Sequence, residues 1–164
     1  MKKLTGFALL GVLLFGCGSN HSSQAYQAPD FELKDIQGKT VSLKSLQGHP
    51  VMLDFWATWC GPCQMSIPLV QQFYMKHKED GLVVLGVNMD DDPAPVIPFV
   101  EHFHMTYLVL YGGASSVSSE YRVQGIPTFI FIDAKGQIHH RFEGFSREMP
   151  RAWEEEFQAL LPSR

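Results

Sequence analysis

The chain has 164 residues, 45% of them hydrophobic, with 13 Lys and Arg against 17 Asp and Glu and a formal net charge of −4 at pH 7. That length and apolar content describe one ordinary domain with enough material for a core. Mild acidity without a basic cluster argues against nucleic acid as a partner.

The first segment reads as an export signal. Lys2 and Lys3 precede the apolar stretch Leu4 to Phe15, which is short for a membrane span and typical of a signal peptide over residues 1–16. Leu14-Phe15-Gly16-Cys17 has the order of a lipoprotein processing site, so Cys17 is expected to become a lipidated N-terminus. An uncleaved anchor and plain secretion are the other two readings of this segment. The small, polar run Gly18 to Gln27 then serves as a flexible tether, making 17–27 the anchor segment and 28–164 the folded domain. The expected location is extracytoplasmic, held by lipid to a bacterial membrane, on the periplasmic side in a Gram-negative host. Cysteine usage agrees: with Cys17 spent on lipid, only Cys60 and Cys63 remain, and no stray thiol is left to mispair in an oxidising compartment.

Beyond the tether, Phe31-Glu32-Leu33 and Thr40-Val41-Ser42-Leu43 alternate across the turn-like Asp35 to Lys39, predicting a β-hairpin. Val51 to Ala57 is continuously apolar except at Asp54, as expected of a central strand covered on both faces. A helix follows from about Cys60 to Lys78, with Met65, Leu69, Phe73 and Tyr74 or His77 at helical spacing, and Pro68 predicting a kink. Gly81 ends it, and Leu82 to Val87 is the next buried strand. Asp90-Asp91-Asp92-Pro93 resembles an acidic metal cluster, but it lacks the further oxygen ligands of a Ca²⁺ loop. Asp92 is read instead as the cap of a helix from Ala94 to His104. Tyr107 to Tyr111 is a short strand and Ala114 to Tyr121 a short helix. Phe129 to Ile132 and Gln137 to Phe142 then form an antiparallel hairpin across Asp133 to Gly136. Arg147 to Leu161 closes the chain as an amphipathic helix bearing Trp153, Phe157, Leu160 and Leu161. This order implies an α/β sandwich on a mixed central sheet.

The chemistry centres on Trp59-Cys60-Gly61-Pro62-Cys63, directly after the central strand. Two thiols one helical turn apart at a strand-to-helix junction are arranged to open and close a disulfide. The free N–H groups and positive dipole end of a helix starting there favour a thiolate at Cys60, leaving Cys63 as the resolving thiol. Pro62 suits the first turn, which has no use for its missing N–H. Zinc would need two more ligands, and the histidines offer no suitable spacing. A permanent structural disulfide closing so short a loop would constrain little.

These residues resemble the TlpA/ResA-like group of thioredoxin-fold thiol–disulfide oxidoreductases, which are exported and membrane-tethered. The carriers are Asp54 to Cys63, Pro68, Val84 to Asp92, and Gly125-Ile126-Pro127-Thr128-Phe129-Ile130-Phe131-Ile132-Asp133. The resemblance spans about Ala28 to Leu161. It implies a thioredoxin-like α/β fold with helices on both faces of the sheet, the N-terminal hairpin, and a central α/β insertion from Pro93 to about Tyr121. It also implies Cys60 as attacking thiolate, Cys63 as resolving thiol, and a cis Pro127 beside the disulfide, where the Ile126 backbone would pair with a substrate strand. Trp59, Gly61 and Pro62 complete the docking surface, with Trp56 packed beneath. Many members have Asn where this chain has Asp54, and an acidic residue three positions after the second cysteine, where this chain has Ser66. Asp54 with Gly61-Pro62 is instead similar to thioredoxin itself, which points to a buried carboxylate of raised pKa acting as general base for Cys63.

The expected function is reduction of protein disulfides outside the cytoplasm by a monomer, with no organic cofactor or metal and with a membrane electron donor to restore the dithiol. The alternatives are a cytochrome c maturation reductant, weakened by Thr128 in place of an acidic residue after the proline, and a peroxiredoxin-like peroxidase. The peroxidase would need a Thr-x-x-Cys context, whereas Thr58 stands only two before Cys60. A non-enzymatic lipoprotein scaffold would leave the dithiol incidental.

Overall fold

The computed structural model describes residues 26–161, so the export signal, Cys17, residues 18–25 of the tether and residues 162–164 lie outside the described residues. Eight strands and four α-helices follow one another as β1 (Tyr26–Gln27), β2 (Glu32–Lys34), β3 (Thr40–Ser42), β4 (Val51–Trp56), α1 (Gly61–His77), β5 (Val83–Asn88), α2 (Val96–His102), β6 (Leu108–Tyr111), α3 (Val117–Glu120), β7 (Thr128–Ile132), β8 (Gln137–Glu143) and α4 (Met149–Leu160).

Six strands make one mixed sheet in the order β1-β8-β7-β4-β5-β6. β4 is central, parallel to β5 on one side and antiparallel to β7 on the other. Both neighbours being hydrogen-bonded partners and both faces covered, every residue of β4 is buried, as its apolar run requires. Side chains alternate across the pleat. Val51, Leu53 and Phe55 enter the core shared with Leu33, Val41, Val117 and Tyr121. Met52 and Trp56 enter the opposite core, which contains Cys63, Val70, Val100, Trp153 and Phe157. Asp54, between them, faces that second layer of α1, α2 and α4.

The β2–β3 hairpin stands as its own two-stranded sheet. It is tied to the edge strand β6 by a bridge between Asp35 and Leu110 and by the Ile36 N–H donating to Val109 O at 3.1 Å. This contact covers an edge that would otherwise offer unpaired backbone to another chain.

Several elements differ from the sequence pattern. Tyr26 and Gln27, placed at the end of the tether, form β1 and pair with Ile138 and Gln137. The buried face of α1 is Cys63, Ser66, Ile67, Val70, Phe73 and His77, while Met65 is 59% exposed. The Cys-x-x-Cys pair sets that rotation, because Cys63 must point inward. α2 starts at Val96 rather than Ala94, and Asp92 caps no helix. Its Oδ1 accepts the Ala94 N–H at 2.9 Å in a turn, and Pro95 occupies the helix boundary without a side-chain cap. α3 is a single turn, shorter than the expected Ala114 to Tyr121. α1 passes through Pro68 as one helix, and the exposed Pro68 ring sits on its solvent side.

The far end of α1 is fastened to α4. His77 is buried against the rings of Phe73 and Phe157, with Nδ1 3.2 Å from Asp80 and Nε2 3.0 Å from Glu154. Trp153 packs edge-on to Phe129 of β7 at 4.7 Å. Full burial of such an aromatic contributes roughly 1.5–3 kcal/mol, so α4 holds α1 and β7 in a fixed relation.

Candidate active site

Cys60 and Cys63 are joined in a disulfide, with Cα atoms 5.2 Å apart. Cys60 is the N-cap of α1, in extended backbone, and its Sγ accepts the Cys63 N–H at 3.2 Å. Gly61 and Pro62 form the first turn and are exposed. Trp59 is 70% exposed, whereas Trp56 is fully buried and stacks on Phe99 at 5.0 Å. Trp56 is therefore a core residue. Cys63 is wholly buried and Cys60 5% exposed, so access to the pair comes from the Cys60 side.

The Ile126–Pro127 peptide is cis. It brings the Ile126 carbonyl oxygen to 3.7 Å from Cys60 Sγ, a contact rather than a hydrogen bond, because a disulfide sulfur has no proton to donate. Thr128 Oγ1 donates to Gly125 O at 2.7 Å and braces the turn. The structure thus brings Ile126 against Cys60 from two segments far apart in sequence, with Trp59 and Gly61 exposed on either side of Cys60 and Pro127 buried after Ile126.

Asp54 is completely buried, and neither carboxyl oxygen has a hydrogen-bond partner of ordinary geometry. Burial pushes its pKa from 3.8 up to about 7, with the Tyr107 hydroxyl beside it drawing the value partway back. Tyr107 in turn is raised well above 10 by its own burial and by the Asp54 charge. A carboxyl poised near neutrality on the α1 face of β4 can exchange a proton at physiological pH.

A second carboxylate does different work. Asp90 is 9% exposed and receives three donors: Thr58 N–H at 2.8 Å, Thr58 Oγ1 at 2.5 Å and Asn88 Nδ2 at 2.6 Å. It fixes the loop that leads from β4 into Trp59 and Cys60. Gly113 makes room for it, since a Cβ there would overlap the Asp90 carbonyl oxygen. The sequence pattern hid this role inside a run of three aspartates; the usable signal was Asn88, buried at the end of β5. No group of three or more His, Cys, Asp or Glu that could hold a metal occurs among the described residues.

A mixed sheet carrying a Cys-x-x-Cys disulfide at a helix N-terminus, with a cis proline against it, defines a thioredoxin-fold thiol–disulfide oxidoreductase. Comparison with known proteins gives the particular group. The AhpC/TSA family profile matches residues 25–141. The thiol-disulfide oxidoreductase ResA of Oceanobacillus iheyensis is 36% identical over 121 residues, covering 71% of this chain and 63% of that protein. ResA of Bacillus cereus is 32% identical over 118 residues, covering 72% and 68%. The chain thus spans about two thirds of the length of these relatives. Among solved structures, one assigned as the thiol:disulfide interchange protein DsbE of Chlorobium tepidum superposes with a TM-score of 0.80 at 33% identity, covering 84% of this chain and 97% of that one. StoA of Bacillus subtilis gives 0.68 at 26%, covering 79% and 97%. The chain belongs to the AhpC/TSA family, in its ResA-like group of thiol–disulfide oxidoreductases, with Cys60 and Cys63 as the redox pair.

Proposed function

We propose that the protein reduces disulfides of exported proteins while anchored to a membrane through lipid on Cys17. The observation that carries the reading is the stacking of three elements: Cys60 at the helix start with the slightly exposed sulfur of the pair, a wholly buried Cys63 behind it, and a buried carboxyl without an ordinary hydrogen-bond partner on the layer that holds Cys63. In the reduced state the α1 N-terminus favours the Cys60 thiolate. That thiolate attacks one sulfur of a substrate disulfide laid along Ile126–Pro127, forming the Cys60–substrate bond and expelling the other substrate thiolate. Cys63 then gives its proton to Asp54, attacks Cys60 Sγ, closes the Cys60–Cys63 bond and releases the second substrate thiolate. Two electrons pass to the substrate, and a membrane electron donor must restore the dithiol. Exposed Trp59 beside the reactive sulfur gives the substrate chain an apolar contact.

Thr58 favours this reading over a peroxidase, because its hydroxyl is committed to Asp90 rather than free to meet a peroxide. Equilibration with defined thiol buffers tests direction. A midpoint near about −270 mV fits a reductase, and one near about −120 mV would make the protein an oxidant and overturn the proposal. Fractionation tests the anchor: wild type should partition with membranes, and Cys17→Ala should be released.

A further inference from the structure

The core layer that holds Cys63 contains buried polar atoms that the reaction scheme does not fully use. Asp54 Oδ1 and Oδ2, the Tyr107 hydroxyl, and the indole N–H groups of Trp56 and Trp153 are all buried without conventional hydrogen-bond partners. Leaving a buried polar group unpaired costs about 1–3 kcal/mol, so five such atoms in one core layer call for a reason. Register supplies part of it. Asp54 pairs with Gly86 of β5 and Phe129 of β7. A Cβ at Gly86 would stand 2.9 Å from Tyr107 Cε2 and 3.0 Å from Trp56 Nε1, so the missing side chain is what admits the Tyr107 ring to this spot. Tyr107, just before β6, is 4% exposed and also packs edge-on to Tyr74 of α1 at 6.1 Å.

We propose that Tyr107 is the positioning residue of the buried base, its hydroxyl holding the Asp54 carboxyl in place and serving it in both protonation states. A phenolic O–H donates to the carboxylate and, turned about its C–O bond, accepts from the carboxylic acid. The two groups make no hydrogen bond of ordinary geometry in the oxidised protein, and the bond closes when the carboxylate forms. Across the sheet Asp54 is flanked by Gly86 of β5 and Phe129 of β7, neither of them ionisable. The core on its side of the sheet holds Trp56 of β4, Val96 and Val100 of α2 and Trp153 of α4, and the titratable groups packed in it are Tyr107, Cys63 of α1, Cys60 at its N-cap, and Tyr74 of α1 against the Tyr107 ring. Tyr107 keeps its proton throughout, so it tunes the base without taking the proton from it. This inference rests on Asp54 being the base for Cys63.

The test is single-turnover resolution of the mixed disulfide across a pH series for wild type, Tyr107→Phe, Asp54→Asn and the double variant. Tyr107→Phe removes the donor and keeps the ring. Its profile should move up by about one pH unit, cutting the ionised base at pH 7 about fivefold. Rates should converge at high pH, and the first attack by Cys60 should be unchanged. In the Asp54→Asn background the same change should add no further shift. A Tyr107→Phe profile lying on wild type while Asp54→Asn moves would overturn the role of Tyr107 and leave the base intact. An unmoved Asp54→Asn profile would remove the base, and this proposal with it. Should Tyr107→Phe fold poorly, carbon-13 NMR of Tyr107 Cζ in the wild-type protein must follow the Asp54 titration. A Cζ shift constant through that titration overturns the proposal.

Discussion

Replacing Asp54 by Asn should raise the stability of the oxidised protein at neutral pH, and the gain should grow with pH. In the unfolded chain the carboxyl ionises at 3.8, and burial holds it neutral in the fold to about 7. Below 3.8 both states carry the proton and Asp54 imposes no ionisation penalty. Between 3.8 and 7 the unfolded chain gains by ionising while the folded one does not, so stability falls as pH rises, by about 1.4 kcal/mol per unit. The accumulated penalty reaches about 4 kcal/mol by pH 7 and is then constant. Asn cannot ionise. Its amide is as poorly partnered as the acid, which lowers stability by about 1–3 kcal/mol at every pH without adding a slope. The difference between variant and wild type should therefore climb by about 3 kcal/mol from pH 4 to pH 7. Urea unfolding midpoints for both oxidised proteins at four pH values in that window measure it directly. A difference independent of pH would mean that Asp54 ionises in the fold as it does in water, and the raised pKa would be refuted.

Asp90→Ala strips Thr58 and Asn88 of their shared acceptor and should cost about 2–4 kcal/mol, read by urea unfolding. It should also slow attack of the reduced enzyme on a small aromatic disulfide by loosening the approach to Cys60, an effect that stopped-flow absorbance will show. Gly113→Ala forces a methyl against the Asp90 carbonyl, backbone on both sides, and should lower stability by about 1–3 kcal/mol in the same assay. Gly125→Ala meets no atom within 4 Å and should stay within about 0.5 kcal/mol of wild type.

Much of this architecture is legible in the sequence because local pattern and tertiary context agree. β4 reads as central since only a strand buried on both faces tolerates Val51 to Trp56 without alternation. The Thr128–Ile132 and Gln137–Glu143 strands are marked by their turn, whose Asp133 Oδ1 accepts the Lys135 and Gln137 N–H groups. The failures are cases where a distant partner decides. Tyr26 and Gln27 have no strand signal of their own and become β1 only because β8 offers an edge. The inward face of α1 follows Cys63 rather than the most hydrophobic spacing, which leaves Met65 outside. Asp90 and Tyr107 owe their roles to neighbours on other elements, Thr58 in one case and Asp54 in the other, and one-dimensional spacing carries no trace of either. The cysteine pair was legible because both thiols and the helix start that activates them lie within four residues.

The central claim is that disulfide exchange runs through Cys60 with Cys63 as the resolving thiol. Insulin reduction by wild type, Cys60→Ser and Cys63→Ala, with a chemical thiol as electron source, tests it most directly. Wild type should accelerate the reaction, Cys60→Ser should fall to the uncatalysed rate, and Cys63→Ala should accumulate a covalent insulin adduct that excess thiol releases. Retention of wild-type rate by Cys60→Ser would contradict the account.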